Sequence, residues 1–493
     1  MKIRLVIATI GVALLSGACA ENADPGPVRE DRSDALAEHL LPSVIFSTEE
    51  PGTMRMEDRM AYYNVPGVSV AVIEDGAVEW ARGWGVADST TGVPVTRETR
   101  FQAASISKPL TAAAFVSLAD DGLASLDTDI NTYLDGWTIE ADPPLTAAEI
   151  LSHSAGLSVS GFPGYGEGDA LPTLIEVLNG TPPANTDAVT YDAGDRGSFH
   201  YSGGGFEIIQ KAIEDITGQP FADVMEARVL GPAGMTHSTY HFPTREADGF
   251  SSGHSRSGVP IEGRWHDYPE LAAAGLWTTA EDLATFALNI IGYSQTGERI
   301  VSAEAGADML EERIPETALG FWIMPGVTAT GVYHTGRNEG FQSNLFMFED
   351  GSHGVVILTN NEVSTGFIYE IIRGVSDLYD WPEFHKPGRR EVLDLPSGLV
   401  ESLVGTYERR TAAGVIRLAV DWDGETLGFD SAESGARETL FLVEPGMFMT
   451  HGGATHGGRF LSFDVPDGAG PVSAIRFGLG QGNDVELLRV TNQ

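Results

Sequence analysis

Cysteine is almost missing from this chain: Cys19 is the one cysteine in 493 residues. An intrachain disulfide is therefore excluded, and stability has to come from buried apolar surface rather than from oxidation. Basic residues are scarce too, with 30 Lys and Arg against 70 Asp and Glu and a formal charge of −40. Such a surface repels phosphate backbones and anionic lipid headgroups, which argues against a nucleic acid or a membrane face as partner. After Leu15 the sequence has no apolar run approaching the ~20 residues that a spanning helix needs. What remains is ordinary globular material, 42% hydrophobic and 9% aromatic. The length calls for more than one hydrophobic core.

Lys2 and Arg4 precede the apolar run Leu5–Leu15, which is too short to cross a bilayer and fits a secretory signal. Two processing sites overlap behind it. Ser16-Gly17-Ala18-Cys19 has the form of a bacterial lipoprotein signal, and Ala18-Cys19-Ala20 fits plain cleavage between small residues. A sole cysteine at the end of a signal is most economically a lipid anchor. Residues 1–19 therefore read as a signal with Cys19 as its lipidation site, and the mature protein as exported. Residues 20–35 are acidic and aperiodic, the composition of a tether.

The body of the chain divides in two. Val68–Ile73 and Ala77–Val86 read as strands joined by the turn Asp75-Gly76. Helical patterns follow: a capped segment at Thr146–Glu149, Phe206–Thr217 ending at Gly218, and Phe221–Val229 ending at Gly231-Pro232. Thr279 caps Ala280–Ile290, with Asp282 placed to close a capping box. Strands return at Thr328–His334, Gln342–Phe348 and Gly354–Asn360, and Gly366–Tyr379 is a last helix. The fold class expected for residues 36–381 is α/β, an antiparallel sheet built from both ends of the region, flanked by helices and carrying a helical insertion. Residues 382–396 read as a linker, and 397–493 as a small C-terminal antiparallel β domain.

Within the first unit, Phe101–Leu110 (FQAASISKPL) sets Ser105 and Lys108 three residues apart. On a helix that spacing brings the hydroxyl and the amine to one face. Pro109 suits a first helical turn, and Leu110–Leu118 is apolar nearly all round, as a buried helix would be. Burial disfavours an ammonium, and a helix start stabilises developing negative charge, so a serine there has a route to nucleophilicity. Taken alone, Ser-x-x-Lys is more often a helix cap than a catalytic pair.

Two distant stretches reverse that balance: Phe199–Phe206 (FHYSGGGF) and Tyr333–Phe341 (YHTGRNEGF). Together with Ser105–Lys108, in this order, they resemble the serine β-lactamase and penicillin-binding protein superfamily, particularly its class C β-lactamase, DD-peptidase and esterase branch. Ser-x-x-Lys would be Ser105–Lys108, Tyr-x-Asn would be Tyr201-Ser202-Gly203, and Lys/His-Thr-Gly would be His334-Thr335-Gly336. The resemblance runs from about Ala35 to Trp381 and implies a β-lactamase/transpeptidase-like fold. It implies that Ser105 forms an acyl-enzyme while Lys108 and Tyr201 share the proton work. It places the oxyanion in the backbone N–H groups of Ser105 and Arg337, and substrate contacts at Ser202, Gly203, His334, Thr335 and Gly336. No cofactor and no metal are called for. The implied partner is a small-molecule or peptidoglycan-like substrate, with esters, D-amino-acid peptides and β-lactams as the candidates.

Two departures shape the expectation. Gly203 supplies no side-chain amide where the family has asparagine. His334 puts an imidazole, mostly neutral at pH 7, where a lysine is commoner. Both disfavour carboxylated β-lactams and favour esters or small amides, although Arg337 offers a cation close by. The alternative is a penicillin-recognising, wall-binding protein that acylates and barely turns over. Other chemistry-bearing residues have plainer readings. His153 reads as a helix-end histidine bonded to backbone, and Gly253–Gly258 as a loop lacking the glycine spacing of a nucleophile elbow. His451 and His456 lack a third metal ligand at useful spacing. Trp265, His266, Tyr268 and Glu270 fit cleft lining and core packing equally well.

Overall fold

The computed structural model describes residues 32–48, 52–324, 330–362, 364–382, 386–396, 398–411, 414–430, 437–450, 459–463, 472–478 and 484–490. The expected signal, its Cys19 and most of the tether lie outside these residues, as do His451 and His456. The last tether positions, Ser33–Ala35, already belong to a short helix, Ser33–Ala37.

The organising element is a six-stranded antiparallel sheet: β1 (Gly67–Glu74), β2 (Ala77–Gly85), β3 (Trp322–Met324), β4 (Gly331–Asn338), β5 (Phe341–Phe348) and β6 (His353–Thr359). Their order is β2-β1-β6-β5-β4-β3, so the N-terminal hairpin pairs with the last strand, Val68 opposite Thr359. Asp75 and Gly76 both take positive φ (51° and 74°), the geometry of a tight hairpin turn. Successive side chains of a strand face opposite sides, and the two sides bury different cores. Ala71, Ile73, Leu345, Met347, Val356 and Leu358 face the helical insertion. Val70, Val72, Phe346, Phe348, Val355 and Ile357 face helices from the two ends of the domain, Met56–Tyr63 and Thr365–Leu378. The sheet is thus sandwiched between helices, as the sequence pattern implies.

Three helices of the insertion position the site: α1 (Ser107–Asp120), α2 (Gly203–Thr217) and α3 (Leu271–Ala274). Twelve of the fourteen residues of α1 are buried, in keeping with its all-round apolar sequence. Two local expectations are corrected. The Phe221 helix does not stop at Gly231-Pro232; it widens to a π turn over Glu226–Leu230 and ends at Gly234, where φ is 78°. Gly231 N donates to Glu226 O, five residues back, and Pro232 follows in the first turn of the next segment, where its missing N–H costs little. Asp282 does not close a capping box on Thr279; its carboxylate accepts instead from His237 N and Ser238 Oγ, at 2.8 and 2.7 Å.

Within the expected linker, residues 382–396, the described segment Gly388–Arg390 forms a strand. It pairs in parallel with Val44–Phe46, and Phe46 stacks on Phe441 with ring centroids 4.0 Å apart. Beyond lies a nine-stranded antiparallel sheet around Tyr407, Phe429, Phe448, Leu461 and Ile475. Its two end strands, Arg437–Thr439 and Phe441–Glu444, are separated in the chain by Leu440 alone. The sheet must therefore curl until its ends approach each other, which makes it a near-barrel.

Candidate active site

Ser105 lies on one 3₁₀ turn, Ala104–Ile106, that leads directly into α1. Ala104 has φ +51°, a left-handed conformation that costs a non-glycine residue on the order of 1–3 kcal/mol. Three hydrogen bonds hold the turn in place. Ser107 Oγ donates to Ala104 O (2.7 Å), Ser343 Oγ of β5 donates to Ala103 O (2.7 Å), and Leu276 N donates to Ser107 Oγ (3.0 Å). Gly336 of β4 presses on the same turn: a Cβ there would stand 2.2 Å from Ala103 O and 3.0 Å from Ser105 N. Only hydrogen fits between strand and serine. Among the described residues, β3 pairs with β4 only from Gly331 to Tyr333. The edge of β4 from His334 to Asn338 is consequently free of a strand partner where it passes the serine.

Lys108 is buried, and its Nζ donates to Ser105 Oγ and to Ala273 O, both at 3.0 Å. Carbonyl and serine oxygens together fix the amine. The acceptor carbonyl is itself anchored: Ala273 N donates to Glu207 Oε1 (3.1 Å), Ala272 N to Gln210 Oε1 (3.0 Å), and Thr111 Oγ1 to Ala272 O (2.9 Å). So α3 is pinned between α1 and α2. Glu207 and Glu270 are both fully buried. Burial raises the Glu270 carboxyl to about 7, and burial plus the nearby Glu270 pushes Glu207 well up. Of the two readings open for Glu270 in the sequence, cleft lining or core packing, the structure gives burial. Glu207 was missed, and the available signal was Glu207 and Gln210 lying within the apolar run Phe206–Ile213.

Tyr201 is aimed by His153. His200 N donates to His153 O (2.8 Å), Ser202 N donates to His153 Nδ1 (3.1 Å), and the imidazole packs on the Tyr201 ring at 4.3 Å. Since Nδ1 accepts, the ring must be neutral; burial, then Lys108 and His334, hold its pKa well below the usual value. The backbone-bonded reading of His153 thus holds, but its place is beside the phenol. Lys108 Nζ lies over the Tyr201 ring, 5.0 Å from its centroid. Trp322 stands 5.9 Å from Tyr201 and stacks flat on His334, 4.5 Å away with the planes 8° apart. His334 is buried, and its Nδ1 donates to Thr335 O at 2.7 Å. Burial, with Lys108 adding to it, pushes this imidazole down to about 3, so it carries no charge near neutral pH.

The fold therefore gathers Ser105, Lys108, Tyr201, His334, Thr335, Gly336 and Arg337, with the Arg337 side chain exposed on β4. Ser202 is corrected from a substrate contact to a cap. Its buried hydroxyl donates to Ser158 O (2.6 Å) and accepts from Gly205 N (2.9 Å), which occupies it at the start of α2. Gly203 also opens α2, three residues before the expected start, and its missing side chain leaves room for the Phe162 ring. Trp265 is core, packed on Trp277 at 4.9 Å. His254 is a buried loop residue whose Nδ1 donates to Asn360 O at 3.0 Å.

Comparison with known proteins agrees with this geometry. The Beta-lactamase family model matches residues 54–373. Among curated relatives, Penicillin-binding protein 4 of Amycolatopsis lactamdurans is 28% identical over 387 residues, covering 71% of this chain and 95% of its own. A D-aminopeptidase of Cereibacter sphaeroides is 25% identical over 405 residues, covering 77% and 73% respectively. Among solved structures, the octameric penicillin-binding protein homologue from Pyrococcus abyssi superposes with a TM-score of 0.59 at 22% identity, over 88% of this chain and 98% of that one. D-alanine carboxypeptidase AmpC from Burkholderia cenocepacia gives 0.52 at 21% identity, over 65% and 96%. The matched segment contains Ser105, Lys108, Tyr201 and the whole of β4, and on that ground the chain belongs to the Beta-lactamase family, as a serine hydrolase with an appended β domain.

Proposed function

We propose that the chain hydrolyses esters or small amides through an acyl-enzyme on Ser105, with little turnover of β-lactams. The observation that carries this reading is the 3.0 Å bond from Lys108 Nζ to Ser105 Oγ, with Tyr201 beside it and a neutral imidazole at position 334. Ser105 Oγ attacks the substrate carbonyl as its proton passes to the Lys108–Tyr201 pair. The oxyanion is held by the N–H groups of Ser105 and Arg337. The leaving group departs with that proton, and water then cleaves the acyl-serine, returning the hydroxyl. D-amino-acid peptides enter as candidate amides because relatives are named D-aminopeptidase and D-alanine carboxypeptidase.

A panel of p-nitrophenyl esters, D-amino-acid p-nitroanilides and nitrocefin tests the reading, with Ser105→Ala as control. Ester or anilide turnover well above that of nitrocefin is expected; comparable nitrocefin turnover refutes the preference. Stable stoichiometric labelling by a fluorescent penicillin, without turnover of any substrate, favours the wall-binding alternative instead. Export and lipid attachment at Cys19 belong to the same proposal, on the strength of the Leu5–Leu15 run ahead of a sole cysteine. Detergent-phase partition that survives Cys19→Ala would refute the anchor.

A further inference from the structure

The space that a side chain at position 203 would occupy is already filled. A Cβ on Gly203 would lie 3.0 Å from Phe162 Cε2, 3.6 Å from Phe162 Cδ2 and 3.3 Å from Ser160 O. The loop carrying Phe162 is fastened to the start of α2 at two points: Ser202 Oγ donates to Ser158 O (2.6 Å) and Gly204 N donates to Val159 O (2.9 Å). Gly204 and Gly205 have no more room, since a Cβ on either would meet Val189 and Ser158 O, or Ile150 and Leu157, within 3.2 Å. The three glycines thus let the helix approach the loop closely, and the approach carries an aromatic ring to the spot two residues beyond the phenol. Phe162 is there only half-buried. Residue 202 is extended (φ −135°, ψ 113°), so positions 201 and 203 face the same way, and beyond Tyr201 the Trp322 ring, 5.9 Å from it, covers the neutral His334.

We infer that Phe162 is a specificity-determining residue, setting the substrate class as esters or amides with an apolar acyl group and no amide next to the reacting carbonyl. The inference rests on the acyl-enzyme reading above. A hydrogen-bonding site rejects a substrate that leaves its polar groups unpaired, and an aromatic wall does the same to a substrate amide. A flat apolar acyl chain instead buries its surface against the ring.

The experiment compares p-nitrophenyl hexanoate with the p-nitrophenyl ester of N-acetylglycine, which differ in the amide beside the carbonyl. Wild type is expected to favour hexanoate in kcat/KM by about tenfold or more. Phe162→Ala should lose that preference through the hexanoate term, with the N-acetylglycyl ester unchanged or improved. Gly203→Asn alone collides with the ring and should impair both substrates. Gly203→Asn with Phe162→Ala opens the space and should turn the preference toward the N-acetylglycyl ester. Equal loss on both esters in Phe162→Ala would show a merely structural role and overturn the inference, as would a wild type that does not discriminate. Fluorophosphonate labelling and thermal melting of each variant keep the two levels apart. Labelled, folded protein without discrimination defeats only the role of Phe162. Folded wild type that takes no label at Ser105 defeats the hydrolase reading and this inference together.

Discussion

Glu270 is a buried carboxyl whose ordinary pKa burial has raised to about 7. A group with a raised folded-state pKa adds stability below its unfolded value, and that contribution disappears as pH climbs through the folded value. The window here runs from about 4.5 to 7, and the full shift corresponds to on the order of 3 kcal/mol. Glu270→Gln removes the titration while keeping the shape. Its melting temperature relative to wild type should therefore rise between pH 5 and pH 8, by several degrees at the upper end. A constant difference across that range would show that the carboxyl is not the group that titrates. His334 behaves with the opposite sign. Its pKa is depressed to about 3, so the folded state loses stability as pH falls below about 6.5. A site with a buried histidine and a buried glutamic acid of this kind resists both protonation of the first and ionisation of the second.

At the scale of elements, the catalytic geometry depends on how a few loops are clamped. His153 grips the backbone on both sides of Tyr201, and its own loop is braced by Arg196, which donates to both Glu149 oxygens at 2.8 and 2.9 Å. His153→Ala should leave the fold intact and lower kcat on a p-nitrophenyl ester by about ten- to a hundredfold, because a misplaced proton-transfer group loses that order of rate. His153→Asn, which retains an acceptor at a similar height, should recover part of it. An unaffected kcat in the alanine variant would remove His153 from the positioning of Tyr201.

The strands and the three motifs were legible because apolar alternation and motif order survive in the linear text. Ala104 was not, since nothing in an alanine signals a positive φ; a local bond from Ser107 Oγ to its carbonyl and a distant one from Ser343 Oγ to Ala103 O hold the turn. The first turn of α2 was hidden because Gly203-Gly204-Gly205 is poor helix material, used here for close approach rather than propensity. Phe162 carried no signal, as its meaning comes from a glycine 41 positions later.

For the whole molecule, the question is what the near-barrel does for the hydrolase unit. Val44, Phe46 and Met449 form a small shared cluster, and Gly388–Arg390 completes a two-stranded sheet with Val44–Phe46. Among the described residues, none of the serine turn, α1 or β4 belongs to that contact. Ending the chain after Trp381 should expose Val44 and Phe46 and lower the melting temperature while leaving kcat/KM for a small ester within about threefold, since the lost burial is worth only a few kcal/mol. Loss of activity in a variant that still melts cooperatively would instead assign the near-barrel a part in the reaction.

The sheet joins β1 to β6, Val68 to Thr359, with the entire insertion threaded between them. Ser105 takes its pose from groups far apart in the chain: Ala103 and Ala104 beside it, and Gly336 of β4 and Ser343 of β5 from beyond the insertion. A nucleophile built that way exists only in a finished molecule, so partly folded chains are chemically silent. Heat inactivation and the calorimetric transition should accordingly fall at one temperature, with no dead but folded intermediate between them.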